Sequence, residues 1–308
     1  MLKPILFFGN ERLATGVTTT APILRRLIDA QYRIAAVVVA QDTSSKSRVS
    51  RPLEVAELAN HHGIPVIAPS RLRDASVELA AFQAGAAVLV AYGKIIPKAI
   101  LDLFEVGIIN IHPSLLPLHR GPTPLESVLL KGDVETGVSL MKLASTMDAG
   151  PVYAQETVLL RGDESKQQLA DQLATIGGDM LMAYLPSILD GSLEASEQDD
   201  TKATYDSMID KTAGVLTSKE WNQPAQLLER QVRAFAGWPR TRTQLAGTDI
   251  RITVVHCIEG NGVPGSLWIE GTNIGVHTSD GILVIDKLIP AGRNEMTGTA
   301  FLAGYRPV

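Results

Sequence analysis

Continuous apolar runs alternate with amphipathic ones along the first third of the chain. Residues 5–9 (ILFFG), 34–40 (IAAVVVA), 65–69 (PVIAP), 86–93 (AAVLVAYG) and 107–113 (GIINIHP) are short and apolar, and all but the second are bounded by Gly or Pro. Between them, residues 22–30, 51–63 and 76–85 place apolar side chains at helical spacing. Strands apolar on both faces and separated by helices predict an α/β fold with a parallel sheet covered on two sides. Such sheets bind ligands beyond the carboxyl ends of their strands.

The pattern changes after residue 135. Two shorter β-like runs flank a turn at Asp148, Ala149 and Gly150, and residues 165–189 form a long helical pattern. Residues 190–207 are polar and acidic without periodicity, as a linker is. Residues 224–237 predict one more helix, followed by short strands with turn signals of the small β-barrel kind. We therefore expect a catalytic domain over 1–188, a linker over 189–208 and a small barrel over 209–308.

The fifth run ends at His112-Pro113, because proline cannot donate to a central ladder. Asn110 and His112 lie two apart, so an extended chain turns both to one face, at a carboxyl end. A charged imidazole and a carboxamide are both hydrogen-bond donors. Aimed at one carbonyl oxygen, they would stabilise the oxyanion of an acyl transfer that uses no protein nucleophile. Asp148, brought beside His112 by its loop, would hold the ring's orientation. Taken alone, each residue has a plainer role: a strand-end His, and an Asp in a turn. Ser114 lacks the G-x-S-x-G elbow of a serine nucleophile. His112, His119 and Asp148 match no standard metal spacing, and we expect no metal. His61 and His62, before Gly63, suit a helix end.

Composition narrows the class further. The 308 residues carry a formal net charge of −5, which excludes a generic polyanion binder but not a local basic patch. From Tyr205 onward there are ten Lys and Arg against ten Asp and Glu, so the acid excess lies before it. Cys257 is the single cysteine, which leaves no disulfide framework. The first ten residues hold too short an apolar run for a signal peptide, and no run has the roughly 18 apolar residues of a membrane span. A soluble cytoplasmic protein is expected.

Taken together, Asn-x-His at 110–112, Ser-Leu-Leu-Pro at 114–117, Arg-Gly at 120–121, Thr-Gly-Val at 136–138 and Asp-Ala-Gly at 148–150 closely resemble the signature of the folate-dependent formyltransferases. Residues 203–211, 225–241 and 288–307 resemble the second domain of the methionyl-tRNA branch of that family. The resemblance covers nearly the whole chain. It implies a Rossmann-like catalytic domain joined to an OB-like barrel. It also implies transfer of the formyl group of 10-formyltetrahydrofolate to the amine of initiator methionyl-tRNA.

Carried over by position, the resemblance makes Asn110, His112 and Asp148 catalytic. Asn110 and a charged His112 would polarise the formyl carbonyl. Asp148 would orient His112 and help accept the proton of the attacking amine. Ser114, Leu115, Leu116 and Pro117 match the loop beside the folate, and Val88, Leu89, Val90, Ala91, Tyr92 and Gly93 stand where the pterin pocket is built. Lys46, Arg48 and Arg51 lie in the segment that corresponds to the family's tRNA-engaging loop. Arg230, Arg233, Arg240 and Arg242 are expected to continue the tRNA path. Gly9-Asn10-Glu11 stands where the family has Gly-Thr-Pro or Gly-Ser-Pro. The alternatives are formylation of an amino-sugar nucleotide and a non-catalytic RNA-binding protein of the same fold. A monomer is expected.

Overall fold

The computed structural model describes residues 3–40 and 53–305. These fall into two compact units. The first comprises Met1–Leu125, Val134–Leu160 and Gln167–Ser207, and the second comprises Glu126–Asp133, Arg161–Lys166 and Met208–Val308. The chain therefore passes between units more often than a simple series of domains would require.

The first unit is a Rossmann-like α/β layer structure around a seven-stranded sheet. Its strands are β1 (Ile5–Gly9), β2 (Ile34–Val38), β3 (Val66–Ile67), β4 (Ala86–Val90), β5 (Gly107–His112), β6 (Glu135–Lys142) and β7 (Val152–Leu159). The spatial order is β3-β2-β1-β4-β5-β6-β7. β1 to β5 run parallel, while β6 and β7 are antiparallel additions beside β5. The parallel strands are buried along nearly their whole length, as their unbroken apolar runs require. Helices α1 (Pro22–Asp29), α2 (Glu54–His61), α3 (Ser76–Ala80) and α4 (Lys98–Leu101) supply the crossovers. α5 (Pro124–Lys131) and the long α6 (Lys166–Leu189) follow, each contributing residues to both units.

The faces of β5 have different neighbours. Ile111 packs so closely on α6 that a Cβ on Gly177 would lie 2.6 Å from its side chain. A small residue lets helix and strand approach there. Asn110 and His112 belong to the opposite face, that of Ile108, whose core also holds Leu6, Phe8, Leu89 and Phe104.

Gly9 closes β1 under a tight constraint. Its φ is +126°, and a Cβ would come within 1.8 Å of the Val90 carbonyl oxygen. The chain then turns through Asn10 and Glu11. Ala21, which precedes α1, has no capping side chain, yet the helix start is satisfied from a distance. The Glu11 carboxylate accepts the N–H groups of Ile23 and Leu24, both at 2.8 Å. This is an N-cap supplied from outside the helix. Glu11 is 2 % exposed. Burial pushes its carboxyl up from 4.5 to about 7, against the opposing pull of the two N–H groups and Arg25.

The second unit carries α7 (Ser218–Trp221) and α8 (Ala225–Ala234) ahead of an antiparallel, barrel-like sheet. Its strands are β8 (Arg242–Leu245), β9 (Thr248–Ile258), β10 (Leu267–Glu270), β11 (Asn273–His277), β12 (Ile282–Pro290) and β13 (Met296–Thr297). They follow the order β10-β11-β12-β9-β8, with β13 on β12. A final helix, α9 (Gly298–Gly304), buries Phe301 in the core with Leu228, Ile274 and Leu283. Among the described residues, no helix is long and apolar enough to cross a membrane.

The stretch expected as a linker is not loose chain. Residues 203–206 lie along the loop that follows β5: Thr204 N–H donates to Pro117 O at 3.1 Å, Arg120 N–H to Thr204 O at 2.9 Å, and Asp206 N–H to Arg120 O at 2.7 Å. Residues as far as Ser207 belong to the first unit. The segment lacks hydrophobic periodicity because backbone bonds and polar side chains hold it in place.

Candidate active site

β5 carries Asn110 and His112 to its carboxyl end, each 5 % exposed. Among the described residues, no side-chain hydrogen bond engages the Asn110 carboxamide, leaving its donors for a substrate oxygen. His112 Nε2 lies 3.0 Å from the His119 carbonyl oxygen. A carbonyl only accepts, so Nε2 carries the hydrogen. On the other side of the ring, Nδ1 is 3.9 Å from Asp148 Oδ1. That exceeds a direct hydrogen bond but remains close enough for a charged ring and a carboxylate to attract one another.

Asp148 is held on three counts. Its φ is +49°, a left-handed conformation that Asp tolerates better than most residues. Its Oδ2 accepts the Gly121 N–H at 2.8 Å, and its carbonyl accepts Gln198 Nε2 at 2.8 Å. Gln198 also donates to Gly150 O at 2.7 Å, so one amide from the strap at 196–207 grips both sides of the Asp-Ala-Gly turn.

The strap is fastened by Arg120, which is 1 % exposed. Its guanidinium donates to Gln198 Oε1 at 3.0 and 2.8 Å, to Tyr205 Oη at 2.8 Å and to Asp200 Oδ1 at 2.7 Å. It also lies 5.6 Å from the centre of the Tyr205 ring. A buried charge with this many acceptors is structurally committed. Gly121 has φ +120°, and a Cβ there would fall 2.4 Å from the Asp206 carbonyl oxygen. The Arg-Gly pair is thus explained by a clamp followed by a close backbone approach.

Ser114 is fully buried, and its hydroxyl donates to Leu118 O at 2.6 Å. Its role is to shape the loop. Ser139 on β6 braces the same loop, donating to Ser114 O at 2.7 Å and accepting from Leu116 N–H at 3.1 Å. Gln155 on β7 donates to Leu116 O at 2.8 Å. Leu116 is buried, and Leu115 and Pro117 are half-buried. Of the expected pterin segment, Val88, Leu89 and Val90 are buried in β4. Tyr92 is also buried, packing edge-on against Phe8 at 5.6 Å, and burial pushes its hydroxyl up to about 12. Only Ala91 and Gly93, both at positive φ, have exposed surface there.

The expected tRNA residues separate into three groups. Lys46, Arg48 and Arg51 lie outside the described residues. Arg233 is engaged by its own unit: it donates to both oxygens of Glu229, at 2.5 and 2.9 Å, and to Glu164 O at 3.0 Å. Arg230 donates to Lys131 O at 3.1 Å. Arg240 and Arg242, with Lys211, Arg251 and Trp238, line a cavity of about 270 Å³ in the second unit. Arg242 and Arg251 are direct partners across the β8–β9 ladder.

The sequence pattern did not identify Gly121 as the donor to Asp148, nor Ser139, Gln155, Gln198 and Asp206, and it raised His119 only as a metal ligand. The glycine's motif was visible; the partners on the strap carried no periodic signal.

Residues 13–185 match the formyl transferase family, and residues 219–306 match the formyl transferase C-terminal domain. The chain belongs to the formyl transferase family. A methionyl-tRNA formyltransferase from Roseiflexus sp. (strain RS-1) is 35 % identical, the comparison covering 98 % of this chain and 92 % of that protein. One from Chloroflexus aurantiacus (strain ATCC 29366 / DSM 635 / J-10-fl) is 37 % identical, covering 97 % and 96 %. An N-formyltransferase from Helicobacter canadensis, solved in complex with folinic acid and dTDP-3-aminofucose, is similar with a TM-score of 0.66 at 17 % identity, covering 92 % of this chain and 98 % of that one. At that identity the likeness concerns the fold.

Proposed function

We propose that the family chemistry here is transfer of the formyl group of 10-formyltetrahydrofolate to the amino group of methionine on initiator methionyl-tRNA. The observation that carries the catalytic reading is the approach of Asp148 to His112 beside Asn110, at the carboxyl end of β5. The full-length likeness to methionyl-tRNA formyltransferases supports the choice of acceptor.

The amine lone pair attacks the formyl carbon, and the carbonyl π electrons move onto oxygen. The Asn110 carboxamide N–H stabilises that oxyanion. A charged His112 has an N–H on each nitrogen; His119 O occupies the one on Nε2, leaving Nδ1–H for the reacting centre. Asp148 balances the imidazolium and takes up the amine proton, directly or through a water. Collapse breaks the C–N bond to the folate, whose nitrogen takes the proton held by Asp148 as tetrahydrofolate leaves. The folate lies between the 114–117 loop and the surface left by Ala91 and Gly93.

For the acceptor, Lys46, Arg48 and Arg51 supply cations in sequence, and Lys211, Arg240, Arg242 and Arg251 supply a cluster in space. Like charges directly across a ladder repel, and a phosphate between Arg242 and Arg251 would relieve that cost. Arg230 and Arg233 are structural in this reading. The chain acts as a monomer in the cytoplasm.

The test offers the purified protein 10-formyltetrahydrofolate with either charged initiator tRNA or an amino-sugar nucleotide. Formylation of the methionyl-tRNA alone is the expected result. Turnover of the sugar nucleotide alone would replace the acceptor assignment.

A further inference from the structure

His112 faces the Asp148 carboxylate at 3.9 Å, but its shorter contact is on the other side of the ring. The partner there is the main-chain carbonyl of His119, 3.0 Å from Nε2. A backbone acceptor is only as well placed as the residue that bears it. His119 has φ +57°, a left-handed conformation that non-glycine residues adopt only at a cost. Something must compensate for that conformation.

Two bonds from the strap do so. His119 N–H donates to Thr204 Oγ1 at 2.8 Å, and His119 Nδ1 pairs with Asp206 Oδ2 at 2.9 Å. The His119 and Asp206 side chains are 10 % and 3 % exposed, so solvent barely competes. Thr204 and Asp206 are two apart on extended chain, which turns both side chains to one face. Their backbones bond the loop at Pro117 and Arg120, which sets that face against His119. The ring of His119 is thus anchored below while its carbonyl bonds the ring of His112.

We infer that His119 and Asp206 are a positioning pair for formyl transfer: by fixing the His119 carbonyl they hold His112 as the Nε2–H tautomer and leave Nδ1 for the reacting centre. The inference rests on His112 being catalytic. Neither residue of the pair touches substrate.

The experiment compares wild type with Asp206→Ala, Asp206→Asn, His119→Gly and the Asp206→Ala/His119→Gly double variant. Glycine accepts positive φ but removes the anchoring ring. Asp206→Ala and His119→Gly should each lower kcat about 10- to 100-fold, the scale of a misplaced catalytic group, with the KM for 10-formyltetrahydrofolate within about twofold. The double variant should be no worse than the poorer single one, because both break one contact. Asp206→Asn keeps an acceptor for Nδ1–H and should retain most of the rate.

The second readout is the ¹⁵N spectrum of the His112 ring in substrate-free protein. Wild type should show the Nε2–H tautomer alone when the ring is neutral, and Asp206→Ala a mixture. An Nδ1–H tautomer in wild type would overturn the inference even if no variant folds. So would a lost rate with an unchanged His112 spectrum, or an unchanged rate in Asp206→Ala. Absence of transfer to methionyl-tRNA in wild type would instead strike the functional reading, and the spectrum would still decide the pair.

Discussion

Gly121 donates its main-chain N–H to Asp148 Oδ2 at 2.8 Å, and the other oxygen of that carboxylate then lies 3.9 Å from His112 Nδ1. A residue without a side chain therefore orients the carboxylate beside His112. Its φ of +120° and the Asp206 oxygen 2.4 Å from a would-be Cβ leave no room for alanine. Gly121→Ala should cost about 1–3 kcal/mol of stability and lower kcat for formyl transfer at temperatures where the variant is folded. Denaturant titration together with steady-state kinetics reads both. A variant as stable and active as wild type would contradict the placement of Asp148.

Ser114 offers a contrast, because it sits in the motif without being a nucleophile in this account. Its buried hydroxyl bonds Leu118 O. Ser114→Ala should lose about 1–2 kcal/mol in urea unfolding, while turnover stays within about tenfold of wild type. Abolished transfer with unchanged stability would revive a serine mechanism.

Glu11 makes stability depend on pH. Its folded carboxyl is raised from 4.5 to about 7 by burial. A raised acid favours the protonated folded state, so its contribution is complete below pH 4.5 and is lost as pH rises through about 7. The full span corresponds to on the order of 3 kcal/mol. Glu11→Gln cannot titrate, so its stability should fall less than that of wild type between those pH values. Parallel pH profiles from thermal unfolding would refute this account.

The arginines of the second unit should divide by function. Replacing Arg242 and Arg251 with Glu should weaken tRNA binding and flatten its salt dependence, because phosphate contacts release counterions. Arg233→Ala should lower stability, since it removes the bonds to Glu229 and Glu164, and leave the salt slope intact. Fluorescence binding titrations from low to moderate salt distinguish the two, and a flattened slope in Arg233→Ala would reverse the division.

Much of this was legible in the chain itself. The apolar runs at β1 to β5 were visible because a strand buried on both faces has nowhere to place a polar residue. Asn110 and His112 stood out as the polar exceptions in such a run, and Pro113 marked where the run ends. The strap at 196–207 was not legible. It is held by Arg120, Gln198 and backbone bonds, and isolated polar partners leave no period to detect. Glu11 was noticed only as an unusual residue; that it caps a helix beginning eleven residues later is a long-range fact. Arg233 is half legible: Glu229 stands four residues before it on α8, whereas its bond to Glu164 O is long-range.

The most direct measurement is single-turnover formyl transfer from 10-formyltetrahydrofolate to methionyl-tRNA by His112→Ala beside wild type, with folding checked by circular dichroism. The account predicts a folded variant whose rate falls by at least about 100-fold, the scale expected for losing a charged donor to the oxyanion. A folded His112→Ala protein that transfers formyl at the wild-type rate would contradict it.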